Sequence, residues 1–184
     1  TAATLYVLTA CTYPGYGGKL GAIAFIGSVL TGWGLDREFL ITEIPTQPVI
    51  WLIVGHAMIA TVVTYWLSVR LEHGPVVASG MVGLVGGLVL PAVYPEIGET
   101  LAVMVICASF AGMSSAQRFP RFSWMLTAGL VTGLIFVYSM PLMGGAGGKL
   151  GTIAFSSVLA VNGWLSLIAR LMPARSVARL ARQS

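Results

Sequence analysis

Residues 47–68 run without one charged side chain, and 76–93, 100–116, 122–142 and 150–171 are nearly as apolar. Runs approaching ~20 such residues are what a helix needs to cross the hydrocarbon of a bilayer. In that solvent every backbone N–H and C=O needs an internal partner, so only helices or a closed barrel can span. A barrel requires strands of about ten residues alternating apolar and polar, and none of these runs alternates. Only 9% of the 184 residues are charged and 57% are hydrophobic, where a soluble domain carries about 25% charge. The pattern predicts an all-α, polytopic integral membrane protein: one transmembrane domain of about seven helical segments. The stretch 20–35 is shorter and spans with help from its flanks. The stretch 5–13 is too short to cross alone at ~1.5 Å per residue and reads as a tilted or partial helix.

Charge placement sets the expected orientation. With the C-terminus in the cytoplasm, Arg70, Arg118, Arg121 and the tail arginines 170, 175, 179 and 182 lie inside. Asp36, Glu38, Glu43, Glu96 and Glu99 then fall outside, and among basic residues only Arg37 and Lys149 join them. This follows the positive-inside rule and points to a bacterial-type inner membrane. Residues 172–184 read as a basic amphipathic anchor on anionic headgroups. No basic residue precedes the first apolar run, so no cleavable signal is expected. A start on Thr1 that turns apolar almost at once fits a chain lacking its native first residues.

The sharpest internal feature is a repeat. Residues 17–25 read GGKLGAIAF and residues 147–155 read GGKLGTIAF, an offset of 130 with one difference. A weaker third copy links Gly83, Gly87, Pro95 and Gly98 to Gly129, Gly133, Pro141 and Gly144. The unit is a helical hairpin with a Pro/Gly-rich corner, giving hairpins at 5–35, 76–116 and 122–171, with the single span 47–68 inserted after the first. Five crossings between the two GGKLG hairpins would place their corners at opposite membrane faces. Inverted-topology repeats of that kind build transporter sites near the midplane.

Each corner has chemical content. Gly17 and Gly18, like Gly147 and Gly148, let the backbone leave helical geometry. A helix begins at once, so free N–H groups and a positive dipole end face the corner, beside Lys19 or Lys149. Together these suit an anion or carboxylate; the plainer reading is a tight turn with a lysine reaching the headgroups. His56, ionisable and inside an apolar span, is the third candidate. Glu96 and Glu99 read as helix-capping carboxylates. Thr12–Gly17 superficially resembles a potassium-filter sequence, but 142–147 keeps none of it. Gly83 and Gly87 form a G-x-x-x-G pair suited to close packing within the chain. Cys11 and Cys107 read as small packing residues in helices.

No catalytic constellation, metal-ligand spacing or phosphate loop is visible, and neither an enzyme, a cofactor nor a nucleic-acid partner is expected. The reading is a small transporter or channel, for a small anion or carboxylate, with a path drawn from the Lys19 and Lys149 corners and His56. The bilayer is its first partner, and a chain this small is expected to form a homo-oligomer or join a membrane complex. The alternative is a non-catalytic structural or accessory subunit of such a complex.

Overall fold

The computed structural model describes residues 2–9, 11–36 and 38–171. Arg37 and the basic tail 172–184, with its predicted headgroup anchor, lie outside the described residues.

Among the described residues there are seven α-helices and no strand: α1 (Ala2–Thr9), α2 (Lys19–Gly34), α3 (Gln47–Val69), α4 (Pro75–Val93), α5 (Gly98–Gly112), α6 (Phe122–Ser139) and α7 (Lys149–Leu171). Four of them, α3, α4, α6 and α7, are long and apolar enough to cross a membrane. The sixteen residues of α2 equal the expected span 20–35 in length, and the expected 100–116 corrects to the fifteen residues of α5. Those reach ~24 and ~22 Å, short of a ~30 Å hydrocarbon core. The helix ends have local causes. α2 cannot start before Gly18, whose φ is +80°. α5 starts at Gly98, where a Cβ would lie 2.5 Å from the Pro91 Cα. It stops where Ser114 turns back, with both its N–H and its Oγ donating to the Ala111 carbonyl.

The core forms around α3, which packs on α4, α5 and α6. Small residues set the spacing. On α6, a Cβ at Gly129 would lie 2.8 Å from Met58 Cα, and one at Gly133 would lie 2.9 Å from Val54 Cα. This i, i+4 glycine pair lets two backbones approach as membrane helices do. The expected pair Gly83 and Gly87 does not behave this way. Gly87 has open space around it, Gly83 only touches Ile106, and Gly86 takes the close contact with Val105. Interhelical hydrogen bonds add to the packing: Thr61 Oγ1 donates to the Ala108 carbonyl at 3.2 Å, and the Ser79 and Ser109 hydroxyls pair at 2.8 Å.

The connections α3–α4 and α5–α6 share one end of the bundle. There the Tyr65 hydroxyl donates to the Phe119 carbonyl and its ring meets Phe122 edge-on at 5.3 Å. Arg70, Arg118 and Arg121 belong to this basic end. The other end carries the α2–α3 connection with Glu38 and Glu43, Glu96, and Glu99 in the first turn of α5. It is tied to the α6–α7 corner by the backbone pair Leu40–Gly144.

Candidate functional site: two lysine corners and a glycine crossing

The two GGKLG corners have the same backbone. Tyr13, Gly15 and Gly18 have φ of +51°, +80° and +80°; Met143, Gly145 and Gly148, each 130 residues later, have +49°, +81° and +80°. Each lysine reaches the carbonyl seven residues before it, and a second one nearby. Lys19 Nζ donates to the Thr12 carbonyl at 2.6 Å and to the Thr9 carbonyl at 2.6 Å. Lys149 Nζ donates to the Leu142 carbonyl at 2.6 Å and to the Met140 carbonyl at 3.4 Å. Each lysine thus reaches from the first turn of its own helix to carbonyls at the end of the helix before. Those carbonyls lack helical partners, and a cation suits a helix C-terminus. The first role of both lysines is to clamp their hairpins. These carbonyl partners carry no formal charge.

The glycines bring the two copies together. A Cβ on Gly21 would lie 2.5 Å from Gly151 Cα, and one on Gly151 would lie 2.5 Å from Gly21 Cα. Gly18 abuts Ala154 and Phe155, while Gly148 abuts Ala24 and Phe25 in the same way. Rising numbers in one helix meet falling numbers in the other, so α2 and α7 cross antiparallel. They overlap by about two turns, ~10 Å, and run off in opposite directions. Only glycine permits this approach at 21 and 151, because the opposing atoms are backbone. The crossing is set within the bundle. Leu150 lies beside the middle of α5, where Cys107 Sγ donates to its carbonyl at 3.3 Å. Cys107 is fully buried, as a packing residue in a helix should be, but Cys11 is exposed in the first corner, past the end of α1.

Each corner borders a cavity. One of about 410 Å³ is lined by Tyr13, Lys19, Gly21, Pro75, Met113 and Gly151. It lies at the basic end, since Pro75 opens α4 and Met113 closes α5. The other, about 400 Å³, is lined by Thr42, Glu99, Thr100, Phe136, Lys149 and Leu150, at the acidic end. Helix N-termini differ accordingly: that of α2 borders the first cavity and that of α7 the second.

The corners are anchored differently. The first is held by polar side chains from the basic end. Gly17 N–H donates to Ser114 Oγ at 3.1 Å, Ser115 N–H to the Gly15 carbonyl at 2.9 Å, and Arg118 Nε to the Pro14 carbonyl at 3.2 Å. The Arg118 guanidinium also lies 4.7 Å from the centre of the Tyr16 ring, a cation–π distance. Tyr16 in turn donates its hydroxyl to Asn162 Oδ1 at 2.8 Å, and Asn162 Nδ2 donates to the Arg118 carbonyl at 3.3 Å. The second corner is held by the Leu40–Gly144 backbone pair and by Ser28 Oγ, which donates to the Gly147 carbonyl at 2.9 Å.

Lys19, Gly17 and Gly18 therefore form one site, and Lys149, Gly147 and Gly148 another; the crossing separates them. His56 belongs to neither. Its Nδ1 bonds the Leu52 carbonyl at 2.8 Å, its ring meets Tyr94 edge-on at 5.9 Å, and it borders an apolar groove of about 300 Å³ between α3 and α4. Glu99 lines the Lys149 cavity from the first turn of α5, where a carboxylate suits the helix dipole; Glu96 lies outside α5. Arg118, Ser114 and Asn162 were not among the site residues expected from sequence. Asn162 carried a usable signal, being the chain's one asparagine and placed within an apolar run. Arg118 carried none, because a loop arginine does not reveal which corner it reaches.

No protein-family model, no curated protein and no solved structure matches this chain. The fold and composition define it as a helical protein suited to a membrane, and the two lysine corners are its distinguishing feature.

Proposed function

We propose that the chain is a translocation unit for a small anion or carboxylate, built on an inverted-topology repeat whose halves interlock at Gly21 and Gly151. The observation that carries this reading is the pairing of two cavities of like size at opposite ends of the bundle, each with a lysine on its wall and a helix N-terminus at its edge. A fixed positive charge in a cavity with apolar walls raises the local concentration of anions. Donors at the helix starts suit their oxygens. The crossing stands between the cavities without side chains at its closest point, so small relative movements of α2 and α7 would open one cavity to the other. Alternating access in transporters of this plan works by rocking one repeat against its mate. With the basic end in the cytoplasm, the Lys19 cavity faces inward and the Lys149 cavity outward, in a bacterial-type inner membrane.

Proteoliposome flux of formate, acetate and chloride tests the reading. Lys19→Met and Lys149→Met should each lower anion flux at least tenfold while the protein stays folded, and His56→Ala should leave it unchanged. Flux of equal size in wild type and both lysine variants would remove the lysines from the path. A second reading, a structural subunit of a larger membrane complex, is favoured by the uncovered face of α2 described below. It predicts no flux above protein-free liposomes.

A further inference from the structure

The 130-residue register allows each position of α2 to be compared with its mate on α7. Six mates differ in burial, each more covered in α7: Gly21 and Ser28 are half-buried where Gly151 and Val158 are buried, and four more follow. Ile153, Ala154 and Val161 are 4%, 0% and 4% exposed, and Leu150 is half-buried. Their counterparts are Ile23, half-buried; Ala24 and Thr31, exposed; and Leu20, 66% exposed. Other mates agree. Gly27 and Ser157 are both buried, while Ile26 and Ser156, and Leu30 and Ala160, are exposed in both copies. So α7 has a lipid-type face that α2 shares, and a covered face that α2 leaves bare.

What covers α7 is known. Ile153 packs in one cluster with Ile50, Cys107 and Phe136, and Ala154, Val158 and Val161 pack in another with Tyr65, Ala111 and Met125. α5 and α6 pack directly on α7, with α3 behind them in the same clusters. Applying the pseudo-twofold at the Gly21–Gly151 crossing to those helices lays an equivalent bundle on the bare face of α2. We infer that this face is the seat of a second helical bundle built like α3–α6, joined to the N-terminal end of α1. The join follows from the repeat. α6 leads into the corner of α7 as α1 leads into that of α2, so the helices that precede α6 have their counterparts before α1.

A second copy of the chain is the poorer occupant. Its own α5 and α6 already hold its own α7, so its matching groove is filled. Lipid is also a poor match, because Ala24 and Thr31 are small residues at the places where α7 receives close-packed helices. The seat is continuous with an interface already present: the Lys19 cavity runs along it from Tyr13 to Gly21. The inference concerns architecture and holds whether or not a solute moves.

The test uses a bundle of known build. Residues 36–131 are placed directly before Ala2 of the full chain, where the repeat register puts them, in a background carrying Cys11→Ser and Cys107→Ala. Single cysteines Ala24→Cys, Thr31→Cys, Ile26→Cys and Leu30→Cys are read by their rate of reaction with N-ethylmaleimide in detergent micelles. The expected result is at least tenfold slower labelling at 24 and 31 in the extended chain than in the 184-residue chain, with 26 and 30 unchanged. Equal rates at 24 and 31 in both chains would overturn the inference. So would protection of 24 and 31 already in the 184-residue chain together with a dimer-sized particle, which would assign the face to a second copy. An Ala154→Cys variant should stay unreactive in both chains; reactivity there only in the extended chain would show the added bundle displacing α7's own partners, and would also overturn it.

Discussion

Leu20 and Leu150 hold the same place in two copies of one motif, after turns of matching backbone and in helix starts that differ only at Ala22 and Thr152. One is 66% exposed and the other half-buried. Local sequence therefore determines the corner, its positive-φ residues and its lysine clamp, because those depend on glycine permissiveness and on carbonyls a few residues away. Surroundings determine everything else. The first corner is fastened by Arg118, Ser114 and Asn162, and the second by a backbone pair with Leu40. Duplication copies local structure and leaves the docking surface to be fitted afresh.

The part of the comparison that must hold equally for both copies is the crossing, and it carries the largest expected effect. Gly21→Val and Gly151→Val each force a branched side chain against backbone that cannot move aside. Each should cost at least ~3 kcal/mol, read as loss of folded protein in detergent unfolding. Gly163→Ala, in the same helix with open space around it, should cost under ~1 kcal/mol. A mild effect at 21 with a severe one at 151 would mean that the helices do not share this contact. The part of the comparison that should differ comes next. Ile153→Ala empties a packed position and should cost ~2–5 kcal/mol. Its mate Ile23→Ala should cost no more than ~1 kcal/mol in the same unfolding experiment. Equal costs would show that the face of α2 is already packed.

The helical class and the duplicated corners were legible because apolar runs and a nine-residue match are visible without distances. The length of α2 was legible too, but the ends of α5 were not. Hydropathy continues past Gly112 to Ala116, whereas the backbone of α5 starts where Gly98 meets Pro91 and stops at Gly112 against Thr61. The glycine pairs show the same limit. Gly83 and Gly87 have the spacing of a packing motif, as do Gly129 and Gly133, yet only the latter pair meets the backbone of another helix; spacing gives a common face and not its direction. His56 had the chemistry of a path residue, but its ring turns to Tyr94 and an apolar groove. The lysines were legible as residues that belong to the corners. Their carbonyl partners became visible only once the hairpins were folded.

The central claim is that the two corners open to opposite sides of the membrane. Cys11 is an exposed natural reporter at the first corner, and Cys107 is buried and silent. Leu142, exposed at the second corner, supplies the other reporter as Leu142→Cys in a Cys11→Ser background. A membrane-impermeant maleimide applied to right-side-out and inverted vesicles should label Cys11 from one side only and Leu142→Cys only from the other. Labelling of both from the same side would contradict the account.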